Sequence, residues 1–166
     1  MKLAIIDIGA GNIFSVIKAI KNLNFSFEII NKSNQLNNYS HLIIPGVAAF
    51  GTGSRFLLKN GFKDEIFRFA EKSKPILGLC LGCQLLMDKS YEFGENEGLG
   101  LIKGEVKKIN VKQKVKIPHV GWKNISITNN GKKSILSNIK INDFVYFTHS
   151  FVCNPSDKNN TLATFS

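Results

Sequence analysis

Residues 74–87, with the sequence KPILGLCLGCQLLM, decide how this chain folds. The apolar run PILGLC predicts a buried strand, and LGCQLLMDK (residues 81–89) predicts a helix that follows it directly. Glycine stands two positions before and two positions after Cys80. This is the pattern of a nucleophile elbow, a sharp strand-to-helix turn that strains the nucleophile and leaves no room for side chains two positions away. Cys80 is therefore the predicted nucleophile, and the start of the helix favours its thiolate.

Cys80 and Cys83 also form a C-x-x-C pair, which has other interpretations. A structural zinc site needs four ligands, usually as two pairs, whereas only Cys153 and three histidines without paired spacing remain. A thioredoxin-like motif also begins a helix near its first cysteine, but it does not require the flanking glycines. The simplest alternative is a tight glycine-rich turn with buried cysteines. On the elbow interpretation, Cys83 and Cys153 are expected to be core or half-buried thiols.

Strands and helices alternate along the chain before this turn. Asn12 is a predicted N-cap, and the apolar residues that follow it fall on one helical stripe. The alternation predicts an α/β fold, with an open, mostly parallel central sheet covered by helices on both faces. The predicted elements are strands at 2–8, 26–31 and 41–46, a helical stripe of Ile13, Val16, Ile17, Ile20 and Leu23, a polar connection at 31–39, and a helix at 62–73 with Ile66, Phe67 and Ala70 inward.

After Gly94 the sequence favours antiparallel hairpin strands with exposed outer faces. No internal repeat or linker separates this part, so residues 1–166 are expected to form a single domain. Its last strand candidate has nothing after it, and a C-terminal segment is expected to be missing. The elements predicted here are strands at 101–117, 124–128, 143–154 and 161–166, and a short helix at 131–139.

Composition narrows the class of protein. With 166 residues, 43% of them hydrophobic, the chain is long enough for one sizeable core, and no apolar run is long enough to span a bilayer. Three cysteines do not form a disulfide framework, so a reducing cytoplasm is expected. The formal charge is +10, and residues 101–140 hold ten lysines against one acid, Glu105. These lysines alternate with apolar residues and lack interleaved aromatics, which favours a solvated strand face over a nucleic-acid-binding surface.

Two further features lie near the elbow. The stretch LIIPGVAAFG (residues 42–51) ends a strand in Pro-Gly, and the backbone N–H groups of such a loop can face an oxyanion if it lies beside Cys80. Gln84 follows Cys80 by one helical turn and lies on the same face, where its amide is available to a polar substrate. Taken separately, the first is also compatible with an ordinary turn and the second with a solvated residue.

Six stretches together resemble a known family. They are AIIDIGAGNIFSV, IIPGVAAFG, PILGLCLGCQLL, GLGLIKGEV, IPHVGWK and VYFTHSF, in this order. This set resembles the glutaminase subunits of imidazole glycerol phosphate synthase, a branch of the class I (triad-type) glutamine amidotransferases with a flavodoxin-like fold. The resemblance covers almost the whole chain.

The resemblance implies a function and a set of site residues. The implied function is hydrolysis of glutamine by Cys80, with the ammonia passing to a synthase barrel subunit, bound as a heterodimer, in histidine biosynthesis. It implies no cofactor, metal, nucleic acid or membrane. The implied residues are Gly46, Val47 and the Leu81 N–H for the oxyanion, Gly82, Gln84, His149, Ser150 and Phe151 for glutamine, and Asn12, Trp122 and Tyr146 for the partner interface.

The sequence departs from the family pattern in several places. Ala48 stands where glycine is usual, Cys83 where Met is usual, and Lys123 where Asn is usual. The family places its catalytic His and Glu in an H-P-E motif after the TLATF strand, whereas this sequence ends at Ser166. None of His41, His119 and His149 occupies the position of the family's base. The chain as given is therefore expected to hold a nucleophile without its general base.

Four functions remain as hypotheses at this point. The first is a glutaminase subunit whose C-terminal segment lies outside this sequence. The second is an inactive glutaminase-like interaction subunit, and the third is a paralogue that supplies ammonia to an amidotransferase of surface sugars. The fourth is a basic nucleic-acid-binding module, whose binding would weaken with salt.

Overall fold

The computed structural model describes residues 2–9, 11–110, 116–140 and 143–165. The strands are β1 (Leu3–Ile6), β2 (Phe27–Ile30), β3 (His41–Ile44), β4 (Ile76–Gly78), β5 (Met87–Ser90), β6 (Asn96–Glu97), β7 (Ile102–Lys108), β8 (His119–Asn124), β9 (Ser126–Ile127), β10 (Phe144–His149), β11 (Phe151–Pro155) and β12 (Ala163–Thr164). The α-helices are α1 (Ile13–Asn22), α2 (Phe50–Lys59), α3 (Phe62–Glu71) and α4 (Leu81–Leu85), and 3₁₀ turns cover Ser33–Asn38, Gly131–Lys133 and Lys158–Asn160.

The first four strands form a parallel sheet in the order β2-β1-β3-β4. From the neighbouring strands β1 and β3 the chain continues to opposite sides of the sheet, to β2 and to β4, which opens a crevice between the carboxyl ends of β1 and β3. Ligands bind in this crevice in open α/β sheets. The predicted α/β fold with a parallel central sheet is confirmed.

Helices cover both faces of this sheet because alternate strand residues point to opposite sides. On one face, Leu3, Ile5 and Ile43 pack against the apolar stripe of α1. On the other face, a larger core forms around Ile6 and Ile44, to which α2, α3 and α4 contribute. The fully buried helix side chains in this larger core are Phe50, Leu57, Phe62, Ile66, Leu81 and Leu85.

Antiparallel elements follow the elbow, as predicted for the second half. A second sheet has the order β11-β7-β5-β6, in which only the β5–β7 pair is parallel. Strands β8 and β10 form a two-stranded ribbon, and β9 pairs with β12. In the described ranges, no helix is both long and apolar enough to cross a membrane.

Several predicted element boundaries are wrong. The helix predicted at 81–89 ends at Leu85, and Met87–Ser90 is strand β5, whose N-terminal residue is buried. The run LLM suits either element, and here pairing with β7 decides. The helix predicted at 131–139 is only a 3₁₀ turn followed by further turns. The strand predicted at 143–154 is two strands that part at Ser150.

The predicted positions of some side chains are also wrong. Phe67 was expected to face inward, but it is exposed, and Phe62 and Phe69 fill the core from α3 instead. Leu23 follows the end of α1 and is exposed. Residues 111–115 of the strand predicted at 101–117 and Ser166 of the last predicted strand lie outside the described residues.

Helix α2 was not predicted, because its sequence FGTGSRFLLK contains two glycines, which are poor helix formers. The structure explains both of them. A Cβ at Gly53 would lie 3.0 Å from a methyl carbon of Leu85, and a Cβ at Gly51 would lie 2.5 Å from the Asn96 side chain. The glycines therefore let α2 lie close against α4 and β6, which supports the elbow from behind.

Candidate active site

Cys80 lies in the turn between β4 and α4, where the sequence predicted it. Its backbone has φ +53° and ψ −111°, a combination that a non-glycine residue adopts only under strain. Its side chain is exposed. The turn thus presents the Cys80 thiol beyond the carboxyl edge of the parallel sheet, at the first residue before a helix.

The two flanking glycines are required by close backbone contacts. A Cβ at Gly78 would lie 2.5 Å from the Cys83 nitrogen, and a Cβ at Gly82 would lie 1.7 Å from the carbonyl oxygen of Ile44. Both distances are shorter than real Cβ contacts, so neither position accepts a side chain without movement of the backbone. The steric reason predicted for the G-x-C-x-G pattern is present in the structure.

A cavity of about 540 Å³ opens beside Cys80. It brings together seven of the predicted site residues from four separate elements. These are Val47, Cys80, Leu81, Gln84, His149, Ser150 and Phe151. Gly46 and Gly82 lie behind this lining and pack against Leu81 and Ile44 respectively.

The loop after β3 contacts the elbow directly. The Leu81 N–H, predicted as an oxyanion donor, donates a hydrogen bond to the Gly46 carbonyl over 3.3 Å. Gly46 is buried, and the β1–α1 loop packs on its other side, where a Cβ at Gly11 would lie 3.6 Å from the Gly46 Cα. Val47, the next residue, is exposed to the cavity. In this arrangement a carbonyl oxygen occupies the Leu81 donor.

Gln84 does not project freely into the cavity. Its Nε2 donates to the carbonyl oxygen of Phe151 over 3.3 Å, which ties α4 to β11. The next carbonyl back along the chain, that of Ser150, accepts a hydrogen bond from the Ile109 N–H over 2.9 Å. The segment that lines the cavity opposite Cys80 is therefore held by backbone contacts on both sides.

None of the three histidines hydrogen-bonds to Cys80 in the part of the chain that the structure describes. His149 lines the cavity, but its Nδ1 lies 3.1 Å from the Phe151 oxygen and its Nε2 lies 3.1 Å from Nδ1 of His119. His41 lies at the amino end of β3 and its Nδ1 contacts the Ser40 hydroxyl. This is the opposite edge of the sheet from Cys80.

The other two thiols were predicted to be core or half-buried, which is confirmed for Cys153 and wrong for Cys83. Cys153 is half-buried, but Cys83 is exposed. The Cys153 thiol hydrogen-bonds to the Cys83 sulfur, and this bond lowers the pKa of Cys83 to about 7 despite partial desolvation. The same bond, with burial, raises the pKa of Cys153. Cys83 is therefore an exposed thiol with a lowered pKa, one turn from the predicted nucleophile.

Glu92 and Phe93 line the cavity and were not predicted. The Glu92 carboxylate accepts a hydrogen bond from the Phe50 N–H at the start of α2 over 2.7 Å. Phe93 has a positive φ of +54° and is 90% exposed at the rim. An exposed aromatic beside a turn glycine, Gly94, was the available signal, but nothing in the sequence indicates which loop meets Cys80.

The predicted interface residues lie outside the cavity. Asn12 caps α1, and its side chain accepts from the Ser15 N–H over 3.3 Å. Trp122 and Tyr146 face each other across the β8–β10 ribbon, with ring centroids 5.4 Å apart in an edge-to-face arrangement. Both are more than half exposed.

The comparisons with known proteins agree with this geometry. Residues 4–166 match the family described as glutamine amidotransferase class-I. A solved structure titled "Crystal structure of glutamine amidotransferase" superposes with a TM-score of 0.75 at 17% identity, covering 97% of this chain and 78% of that one. That likeness establishes the fold, and the family match establishes the class of protein.

Comparison with named relatives identifies a branch within this class of protein. The chain is 43% identical over 157 residues to the imidazole glycerol phosphate synthase subunit HisH of Caldanaerobacter subterraneus, covering 95% of this chain and 75% of the relative. It is 41% identical to HisH of Aquifex aeolicus, covering 98% of this chain and 77% of the relative. The chain therefore belongs to the class-I glutamine amidotransferases and, among them, to the HisH family.

Proposed function

We propose that this chain is a glutaminase subunit that hydrolyses glutamine at Cys80 and delivers the ammonia to a synthase partner that makes imidazole glycerol phosphate. The observation that carries the proposal is the strained Cys80 thiol at the mouth of a cavity of about 540 Å³. Such a cavity is large enough for an amino acid, and one side of it is the carboxyl edge of a parallel sheet, where ligands bind.

The chemistry follows from the position of the thiol. The Cys80 thiolate attacks the carboxamide carbon of glutamine, and the C–N bond breaks once the nitrogen has gained a proton and leaves as ammonia. Water then attacks the glutamyl thioester, which releases glutamate and restores the thiol. The start of α4 and the strained turn hold the sulfur ready for the first attack.

The oxyanion formed in this attack needs two N–H donors. Leu81 and Val47 are proposed for this role, with Gly46 as the residue whose peptide turns. The Leu81 N–H is bonded to the Gly46 carbonyl in this conformation. Rotation of the Gly46–Val47 peptide would move that carbonyl away and direct the Val47 N–H to the cavity, so that both donors reach the oxyanion.

The cavity lining carries a negative charge that can bind the α-ammonium group of glutamine. Glu92 is the acidic side chain in the cavity lining, and its carboxylate suits the α-ammonium group. His149, Ser150 and Phe151 hold the opposite wall, and Gln84 and Gly82 set the position of α4 beneath it. Glutamine would thus lie between the elbow and the segment after β10.

Proton transfer is expected to limit this chain. Its histidines lie away from Cys80 or have both ring nitrogens occupied, as described above. General acid–base catalysis contributes about 10²–10⁴-fold. We therefore expect slow glutamate release, and much faster release from a chain extended with the downstream residues of the longer HisH relative. Equal rates would assign the base to one of the three histidines.

The partner is proposed to bind the outer face of the β8–β10 ribbon. Val120 and Trp122 of β8 and Phe144 and Tyr146 of β10 are all exposed on this face. Aromatic side chains of this kind are enriched at the centres of protein interfaces. Asn12, at the start of α1, is proposed to extend the contact. A heterodimer in the cytoplasm is the expected assembly, and the three free thiols suit that compartment.

The test is glutamate release measured with the synthase partner present. The chain, the Cys80→Ala variant and a matched Cys83→Ala control are compared. Cys80→Ala is expected to remove activity to background, whereas Cys83→Ala should retain it within about twofold, because only Cys80 occupies the elbow. Loss of activity in Cys83→Ala with retention in Cys80→Ala would overturn the proposal.

A further inference from the structure

The inner face of the β8–β10 ribbon carries a pair of histidines that contact each other. His119 and His149 stand directly opposite in the antiparallel register, and Nδ1 of His119 lies 3.1 Å from Nε2 of His149. The Phe165 ring stacks on His119 with the centroids 4.9 Å apart. Both imidazoles are half-buried, so this hydrogen bond is partly shielded from water.

The two histidines and the Phe151 carbonyl form a series of hydrogen bonds, and the direction of each bond follows from that carbonyl. The Phe151 carbonyl can only accept, so His149 must carry its proton on Nδ1, which lies 3.1 Å away. In the neutral ring, Nε2 of His149 is then the acceptor, and His119 donates to it from its own Nδ1. The same Phe151 oxygen also accepts from Nε2 of Gln84.

This series connects the ribbon to the elbow helix. It runs from β8 through β10 and the start of β11 to α4, one turn after Cys80. The Phe151 carbonyl receives one donor from each side, and the residues between them, Ser150 and Phe151, line the cavity. The orientation of that segment therefore depends on the Nδ1–H tautomer of His149, which the Phe151 carbonyl requires and which a donor from His119 to Nε2 stabilises.

We infer that His119 is a positioning residue, which holds His149 in the Nδ1–H tautomer and thereby fixes the wall of the cavity that receives glutamine. His119 does not line the cavity itself and acts only through His149. The inference rests on the proposed function, since it assigns glutamine to this cavity. It gives a role to a histidine that neither the elbow nor the ribbon's outer face explains.

The surroundings of His119 favour its neutral form. Burial, the opposite His149 and Lys123 on the same strand all lower the pKa of His119 below its ordinary value. Phe147 and Phe165, which pack on the same rings, carry no charge.

Three variants separate positioning from packing, all made in a Cys80→Ala background, which removes the nucleophile. His119→Phe keeps an aromatic ring beside Phe165 but removes the donor. His119→Asn loses the ring but can place an N–H near the position of Nδ1. His41→Asn is the matched control, because His41 lies at the far edge of the sheet.

Glutamine affinity is measured by calorimetry for each variant. His119→Phe is expected to weaken binding about threefold to tenfold, the effect of one net hydrogen bond. His119→Asn should recover to within about twofold of the parent, and His41→Asn should equal the parent. Parent-like binding by His119→Phe, or binding by His119→Asn as weak as by His119→Phe, would overturn the inference.

Imidazole ¹⁵N spectra of the unmodified chain give a readout that needs neither a variant nor glutamine. Near pH 7 they should show His149 as the Nδ1–H tautomer, which donates to the Phe151 carbonyl. An Nε2–H tautomer at His149 would overturn the inference. If the parent does not bind glutamine at all, the proposed function fails, while the spectra still report on the pair.

Discussion

The part of the chain up to Val106, called here the parallel-sheet part, and the part after it, called the ribbon part, differ in how deeply their apolar side chains are buried. Every large hydrophobic side chain that is buried in the described residues falls between Leu3 and Val106. In the described residues after Val106, by contrast, large apolar side chains are half-buried or exposed, and Trp122, Phe144 and Tyr146 are among the exposed ones. Both parts contain strands with similar β-forming sequences, but only the first has helices packed on both faces.

This difference separates the two tasks of the protein. The parallel sheet has its own core, and this core holds the strained turn at Cys80 in place. The ribbon has an inner face that supports the cavity wall through His149 and an outer apolar face that remains exposed. The free energy of unfolding is therefore expected to depend mainly on the parallel-sheet part, and binding of the synthase partner on the ribbon part.

The largest expected effect is on the core of the parallel-sheet part. Phe62→Ala removes a fully buried ring from α3 and is expected to lower the free energy of unfolding by about 3–5 kcal/mol. The matched control is Phe144→Ala, which removes the same ring from an exposed position on the ribbon and should change stability by less than about 1 kcal/mol. Urea unfolding of both variants is the measurement. Similar losses would mean that the ribbon shares the core.

Gly82→Ala tests the packing beneath the elbow. The new Cβ would meet the Ile44 carbonyl, so the backbone must move, and we expect a loss of about 3 kcal/mol together with loss of glutamine hydrolysis. Gly11→Ala is the control, since its Cβ would be in ordinary contact at 3.6 Å. Thermal melts and the glutamate assay are compared. A Gly82→Ala variant with unchanged stability and activity would contradict the elbow geometry.

Trp122→Ala tests the outer face of the ribbon. Because the side chain is 66% exposed, its removal should leave the thermal melt of the free chain nearly unchanged. Its loss from an interface centre is expected to weaken binding of the synthase partner by about 2 kcal/mol, or about thirtyfold in Kd. Lys132→Ala serves as a control for general surface effects. Unchanged binding by Trp122→Ala would place the interface elsewhere.

A smaller effect is expected at the start of α1. Asn12→Ala removes the side-chain acceptor for the Ser15 N–H and should lower stability by about 1 kcal/mol. Asn12→Asp keeps an acceptor and should retain stability. If the two variants are equally stable in urea, the cap makes no net contribution.

The parallel sheet and the elbow could be predicted because their signals are local. Glycines at positions 78 and 82 are needed because a side chain there would clash with the backbone near the elbow. The apolar strands are each recognisable from their own sequence and from the connections that follow them. Helix α2 could not be predicted, since Gly51 and Gly53 make sense only against Asn96 and Leu85, which come later in the chain.

The cavity was predictable only in part. Motif resemblance indicated Cys80, Gln84 and His149, but it did not indicate Glu92, which a loop of no distinctive pattern brings to the cavity. The orientation of the Gly46 peptide, which decides whether Leu81 is a free donor, depends on one backbone rotation with no sequence signature. The structure therefore adds two kinds of information that the sequence lacks: contacts between distant segments and the orientation of single peptide groups.

The most direct measurement is the site of covalent labelling by an alkylating glutamine analogue, mapped by mass spectrometry after brief exposure. Cys80 lines the cavity from the strained turn, whereas Cys83, whose pKa the Cys153 thiol lowers to about 7, does not line it, so labelling by a glutamine analogue distinguishes the two thiols. We expect label on Cys80 that excess glutamine suppresses, and little label on Cys83 or Cys153. Predominant label on Cys83, or Cys80 labelling that glutamine does not reduce, would contradict it.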